Sequence, residues 1–279
     1  MKNCMKRIRY VLLYPMLLLS LVGCKTRTDL VDFGEISLIT DWSRRMAELS
    51  VPASYTVKIG EQLLTFSGST NPLPELLPGK YPLLAYNTAE GITVSNNLAS
   101  VALQNGLLRP QPGWLFSARG SIQVQNNKIE SVTLQMQQQV RLLKITLTPI
   151  GGTAGRLTGI QATLSGLAGS WDLAEEKPAG SALSVPLLFA KQANGSWQAE
   201  VRLLGIVGAK QELRGTLHFQ DGHPVDLALE SDLSNDLAGF NTDKHIPMSL
   251  NATMETYTEA GFSIRINDWK RETETGTAN

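Results

Sequence analysis

Hydrophobic alternation with a period of two limits this chain more than any other feature. Apolar residues occupy every second position at Tyr55, Val57, Ile59, at Val132, Leu134, Met136, and at Ile160, Ala162, Leu164. The pattern recurs at Ile122, Val124, at Leu213, Gly215, Leu217, Phe219, at Val225, Leu227, Leu229, and at Phe262, Ile264, Ile266. Successive side chains of a strand point to opposite faces, so each run describes a strand with one buried and one wet face, as in antiparallel sheets. Turn chemistry agrees. Asn194-Gly195 in "ANGS" and Asp221-Gly222 in "DGHP" lie between apolar runs and tolerate the positive φ angles of tight hairpins. Helical spacing is scarce. Its best candidate is "SDLSNDLAGF" (231–240), with Leu233, Leu237 and Phe240 on one side and Ser231 or Asp232 as cap. The chain reads as all-β.

One change of parity divides it. Through "SVTLQMQQQV" the apolar residues fall on even numbers, and after Leu142-Leu143 they fall on odd ones, Ile145 and Leu147. The strand has then turned its buried face over, through a bulge or by passing into another sheet. The boundary falls within 137–144. It separates an N-terminal β-sandwich over 32–138 from a C-terminal β-sandwich over 139–270, with a polar tail at 271–279.

The N-terminus concerns location rather than fold. Lys2, Lys6, Arg7 and Arg9 precede an apolar run from Tyr10 to Val22, too short for a membrane span of about 20 residues. Positive head, short apolar core and small residue make a secretory signal. Leu21-Val22-Gly23-Cys24 resembles the lipobox of bacterial lipoproteins. The resemblance implies a signal peptide at 1–23, cleavage before Cys24, and acylation of that cysteine with a diacylglycerol and a further fatty acid such as palmitate. Residues 24–31 are then the lipidated cysteine and its tether. The chain has two cysteines, and Cys4 leaves with the signal, so lipidation accounts for the single one that remains. Lys25 directly after the cysteine is not the inner-membrane retention signal of enteric bacteria, which favours the outer membrane. The expectation is a lipid-anchored protein at the cell surface, although the tether lacks the acidic cluster that some surface lipoproteins carry. Loss of 1–23 removes four positive charges and no negative ones from an even balance of 25 and 25. The mature chain is mildly acidic, which argues against nucleic acid as a partner.

Catalytic chemistry finds little to use. The three histidines are His218 in a strand, His223 in a hairpin turn and His245 in a polar loop. "GLAGSWD" (166–172) lacks the Gly-x-Ser-x-Gly nucleophile elbow. His218 and His223 with Asp221 or Asp226 match no standard metal set. The stretch 230–243 lacks the glycine and closing glutamate of a calcium loop, and there is no phosphate-cradling glycine loop. The expectation is therefore no enzyme, no cofactor and no metal. "ITDWSR" (39–44) and "INDWKR" (266–271) echo one another. Trp42 and Trp269 are either a ligand-binding pair or residues that seal sandwich edges under the arginines that follow, and the second reading is preferred.

The lipobox, "ISLITDWS" (36–43), the run from Leu76 through "LPGKYPLLAYN" (77–87), "VTLQMQQQVRLLKITL" (132–147) and "GFSIRINDW" (261–269) together resemble the fimbrial anchor subunits of Bacteroidetes-type bacteria, the minor membrane-attached subunits of type V pili, and cousins of unknown function with the same build. The resemblance covers essentially the whole mature chain. It implies two transthyretin-like antiparallel β-sandwich domains on a lipid anchor, and pilin or other fimbrial subunits as partners joined by β-strand addition. Shaft subunits of such pili are cut after an arginine near the N-terminus. A cut at Arg44 or Arg45 would part Cys24 from the body, so in an anchor these are ordinary surface residues. The alternative is a surface glycan-binding lipoprotein, with Trp114 or Trp197 as a stacking platform.

Overall fold

A computed structural model describes residues 33–256 and 264–272. The expected signal at 1–23, Cys24 with its expected tether, Phe262 and the residues beyond Glu272 lie outside the described residues. Within them the structure is strand, with two short 3-10 turns and no α-helix. The first eleven strands are β1 (Glu35–Arg44), β2 (Tyr55–Ile59), β3 (Gln62–Phe66), β4 (Thr70–Pro72), β5 (Gly79–Tyr86), β6 (Ile92–Ser95), β7 (Leu98–Val101), β8 (Leu103–Gln104), β9 (Leu107–Leu108), β10 (Phe116–Val124) and β11 (Ile129–Gln138). Ten follow: β12 (Arg141–Ile150), β13 (Leu157–Asp172), β14 (Lys177–Leu188), β15 (Ala190–Lys191), β16 (Trp197–Leu203), β17 (Glu212–Phe219), β18 (Leu227–Asp232), β19 (Met248–Glu255), β20 (Arg265–Ile266) and β21 (Lys270–Glu272).

The first sheet runs β3-β2-β5-β10-β11-β1-β4. Its middle is weak: β10 and β11 share only the pairs Phe116–Gln138 and Ser117–Gln137. The sheet folds over at this corner into layers of four and three strands, so that the inward residues of β1, β2, β5, β10 and β11 meet in one core. Trp42 lies inside it, edge-on to Tyr55 at 5.8 Å and to Phe116 at 5.7 Å, the geometry that the ring quadrupoles favour. The second, larger core is enclosed by β15-β16-β12-β19-β20, with β21 also on β19, and by β18-β17-β13-β7-β6, with β14 on β13. Each sandwich includes one parallel pair, β1 with β11 and β12 with β19, amid antiparallel neighbours.

The parity change at 137–144 has its cause here, since β11 belongs to the first sheet and β12 to the next. Residues 92–115 depart from the sequence reading. They lie within the N-terminal stretch, yet β7 pairs with the end of β13, and Ile92, Ala99, Val101, Leu108 and Leu115 pack in the second core. β13 is 16 residues long and outruns β17, which leaves its last residues free for β7. Alternation shows that a hairpin has a buried face but not which sheet it joins. The helix expected at 231–240 is corrected as well. β18 occupies its start and stacked turns its remainder, with a single i to i−4 bond from Leu237 N to Leu233 O at 2.9 Å. Leu233, Leu237 and Phe240 are nevertheless all buried, and Asp232 caps the turn by accepting from Ser234 N at 3.0 Å. The chain reverses at both Asn194-Gly195 and Asp221-Gly222, and Gly195, Asp221 and Gly222 take positive φ. Asp221-Gly222, however, lies in a 3-10 turn within the long connection 220–226 between β17 and β18 rather than in a tight hairpin.

Gly215 holds an inward position in the alternation of β17, flanked by Ala162 and Leu229. A Cβ there would run into the Gln161 carbonyl oxygen and the Ala162 side chain. Gly215→Ala is expected to cost about 2 kcal/mol of stability by overpacking, read as a lowered urea midpoint at unchanged slope. An unshifted midpoint would contradict this packing.

Candidate functional site

The two cores meet across a junction of buried polar side chains, an unusual use of polar groups in a β-protein. Asn87 ends β5 and ties it to the entry of β10: its Oδ1 accepts from Phe116 N at 2.7 Å and its Nδ2 donates to the carbonyls of Thr88 and Trp114 at 2.8 and 3.0 Å. Gln138 ends β11. Its Oε1 accepts from Met46 N at 2.9 Å, and its Nε2 donates to Val140 O at 2.8 Å and Lys244 O at 3.1 Å. Arg141 opens β12 with its guanidinium turned into the turns after β18. Nε donates to Ile246 O at 2.7 Å, and Nη1 to the carbonyls of Gly239, Phe240 and Thr242 at 3.2, 2.9 and 3.1 Å. Asn241 holds both the N–H and the carbonyl of Ile206. Buried polar groups are tolerated only when satisfied in this way. They link segments distant in sequence, and Gln138, bonded to both Met46 and Lys244, ties one sandwich to the other.

A cleft of about 310 Å³ opens beside this network, lined by Gln137, Gln139, Trp171, Glu176, Asp243 and His245 with the network's own side chains. Lys244 forms its floor. Its Nζ donates to Leu204 O at 2.7 Å and lies 3.0 Å from the Trp171 ring centroid. Burial drives the Lys244 ammonium well below the ordinary lysine value, and the charge of Arg141 adds to this, against Glu176. Burial, followed by the charge of Arg44, also lowers His245. The linkage has a definite sign. Between the depressed folded value of Lys244 and its ordinary 10.5, the unfolded chain carries a proton that the folded chain does not, so stability rises with pH across that window. Lys244→Met is expected to flatten the rise in urea midpoint as the pH increases toward 10. A slope identical to that of the parent chain would exclude this account.

The residues singled out by sequence are placed as follows. Trp42 is buried with its Nε1 on Thr40 Oγ1 at 3.0 Å, while Trp269 is half-buried against the second core with its Nε1 on Ser231 Oγ at 2.9 Å. Both seal sandwich interiors. The arginines behind them do otherwise than expected: Arg45 Nη1 donates to Trp42 O, Arg44 pairs with Asp243 at 3.6 Å, and Arg271 donates to the carbonyls of Asp236 and Ala238. Trp197 is buried, and Trp114 is half-buried with the Arg202 guanidinium 4.6 Å from its ring centroid. His218 Nδ1 and Asp226 Oδ2 stand 2.7 Å apart. Among the described residues, no three His, Cys, Asp or Glu side chains gather as a metal set.

Residues 50–275 match the family model of the fimbrillin-A associated anchor proteins Mfa1 and Mfa2. The chain belongs to this anchor family. Solved structures share its fold at identities too low to say more. The fimbrial anchor protein Mfa2 from Porphyromonas gingivalis aligns with a TM-score of 0.64 at 9% identity, covering 86% of this chain and 98% of that one. A candidate adhesin from Bacteroides ovatus gives 0.61 at 10% identity, covering 87% and 96%. A candidate polysaccharide-binding protein from Bacteroides thetaiotaomicron gives 0.55 at 11% identity, covering 86% and 98%. No curated protein matches the sequence.

Membership in the anchor family carries a fimbrial role at the cell envelope. An anchor-family member that binds by its main chain needs a sheet edge, and edges here differ in chemistry. β4 includes Pro72, and β14 includes Pro178, Pro186 and a positive-φ Gly180, features that blunt an edge. Among the described residues, β3 and β18 pair on one side only, and neither contains proline.

Proposed function

We propose that the chain is an outer-membrane lipoprotein, acylated on Cys24, that anchors or terminates a fimbria and joins a pilin subunit by β-strand addition. The match of residues 50–275 to the anchor family carries this reading. The lipobox residues Leu21-Val22-Gly23-Cys24 support the lipid, and Gln138, bonded to Met46 on one side and Lys244 on the other, supports a body that keeps its two sandwiches in one arrangement. An added strand gains main-chain hydrogen bonds along an open edge while alternate side chains seek pockets. β3 and β18 are the edges best suited to this. The glycan alternative has weaker support, because Trp197 is buried and Trp114 is half-buried beneath Arg202.

Isolation of fimbrial polymers from the native cell, under conditions that dissolve the bilayer, is expected to bring this chain down in amounts far below those of the shaft subunit. Polymers free of it, together with retention on a glycan array that is lost in Trp114→Ala, would replace the anchor by the glycan reading.

A further inference from the structure

The first sandwich has two poles. β1, β5 and β11 run toward one of them and β10 runs away from it. At that pole the chain leaves for the second core after Tyr86 and Gln138, and returns from it before Phe116. The opposite pole gathers the starts of β1, β5 and β11 with the end of β10. There Gly34 bridges to Leu76, Glu35 N donates to Lys128 O at 3.0 Å, and Gly79 pairs with Val124. Strands of eight to ten residues separate the poles by roughly 25–30 Å at about 3.3 Å per residue.

Three large apolar side chains stand out at this second pole: Phe33 is 44% exposed, Leu77 51% and Ile129 81%. Register brings them together. The antiparallel Gly34–Leu76 bridge sets Phe33 opposite Leu77, and the parallel Glu35–Ile129 pair sets Ile129 on the other flank of the same strand. Single exposed apolar residues are ordinary, but a cluster at one tip marks an interaction surface. Lys80 and Lys128 are exposed there beside Glu35 and Glu75, with the half-buried Glu130 next to Ile129.

We infer that this tip lies against the lipid bilayer. The inference rests on the acylated Cys24 proposed above and adds to it the face that meets the membrane. Phe33 follows Cys24 by nine residues, a contour of at most about 30 Å. Acyl chains at Cys24 hold that end of the chain at the headgroups, and the pole where Phe33 enters the fold is the folded surface nearest to them along the chain. Apolar side chains flanked by lysines suit such an interface, where the lysine stems lie along apolar surface and their ammonium groups stay in water. The second sandwich then stands at the far pole, away from the bilayer and open to a partner.

The test uses the full chain, expressed with its own signal, purified with its lipid and reconstituted into phosphatidylethanolamine–phosphatidylglycerol vesicles with or without brominated acyl chains. An Ile129→Cys variant and a Leu188→Cys variant are each labelled with bimane. Leu188 is 78% exposed on β14 of the second sandwich and serves as the distant reference. Both are expected to float with the vesicles, and bromolipid is expected to reduce emission at position 129 at least twofold while leaving position 188 unchanged. Flotation without quenching at 129, or with equal quenching at both sites, overturns the inference and leaves the lipid anchor standing. Failure to float overturns the anchor and, with it, this orientation.

Discussion

A Cys24→Ser chain, exported by a conventional signal that is cleaved, is expected to leave the membrane pellet and appear in the soluble fraction. Each buried CH₂ contributes about 0.8 kcal/mol, yet one acyl chain gives only marginal and reversible binding, and two or more are needed to hold a protein durably. Removing every chain at once therefore turns near-complete retention into near-complete release. The apolar tip at Phe33, Leu77 and Ile129 is too small to retain the protein alone. Labelled palmitate should enter the parent chain and not the variant. A variant that sedimented as firmly as the parent would remove the lipid from the account.

The second large effect is expected from Arg141→Met. This guanidinium donates to four carbonyls of the segment between β18 and β19, those of Gly239, Phe240, Thr242 and Ile246, and it lies 5.3 Å from the Phe240 ring centroid. Burial, followed by the nearby charge of Arg271, lowers its pKa to about 10, so it remains charged at neutral pH. Methionine matches its length but leaves the carbonyls without donors. Each buried unsatisfied group costs about 1–3 kcal/mol, offset in part where water enters. The net loss is expected at about 3–5 kcal/mol, the range found when one side of a buried charged contact is deleted. Arg141→Lys should recover only a fraction, since a single ammonium cannot reproduce the forked donors. Urea unfolding measures both, and a loss below about 1 kcal/mol for Arg141→Met would show that the segment holds itself.

How much of this was legible in the sequence depends on what each residue contacts. Alternation identified the strands because a half-buried sheet imposes a period of two on every one of them, as with Tyr55, Val57 and Ile59 in β2. It also held the key to the junction, in a form easily passed over. Extending the even parity of Leu134 and Met136 by one step turns Gln138 inward, and extending the odd parity of Leu143 and Ile145 back by one turns Arg141 inward. Polar residues on apolar positions are the signal. Asn87 offered a weaker form of it, as the polar end of an apolar strand. Lys244 offered none, because its burial comes from a turn segment without periodicity. The helix misreading at 231–240 has a similar origin: Leu233, Leu237 and Phe240 do share a buried side, but a tight turn with its own Asp232 cap presents the same spacing. The stretch 92–101 falls within the N-terminal sandwich by nearness in sequence, whereas the length of β13 decides where its hairpin pairs.

The parallel pairing of β1 with β11 has a mechanical consequence. The proposed tether precedes β1 in the chain, while β11 continues beyond its far end into β12 and the second sandwich. Tension applied between these two exits would act along the strands in opposite directions, a shearing load shared by the whole ladder from Glu35 to Asp41 at the same moment. An antiparallel neighbour pulled from adjacent ends would open like a zip, one rung after another. Which rungs yield first would then depend on the seven successive pairs acting in concert, not on the strength of any one of them.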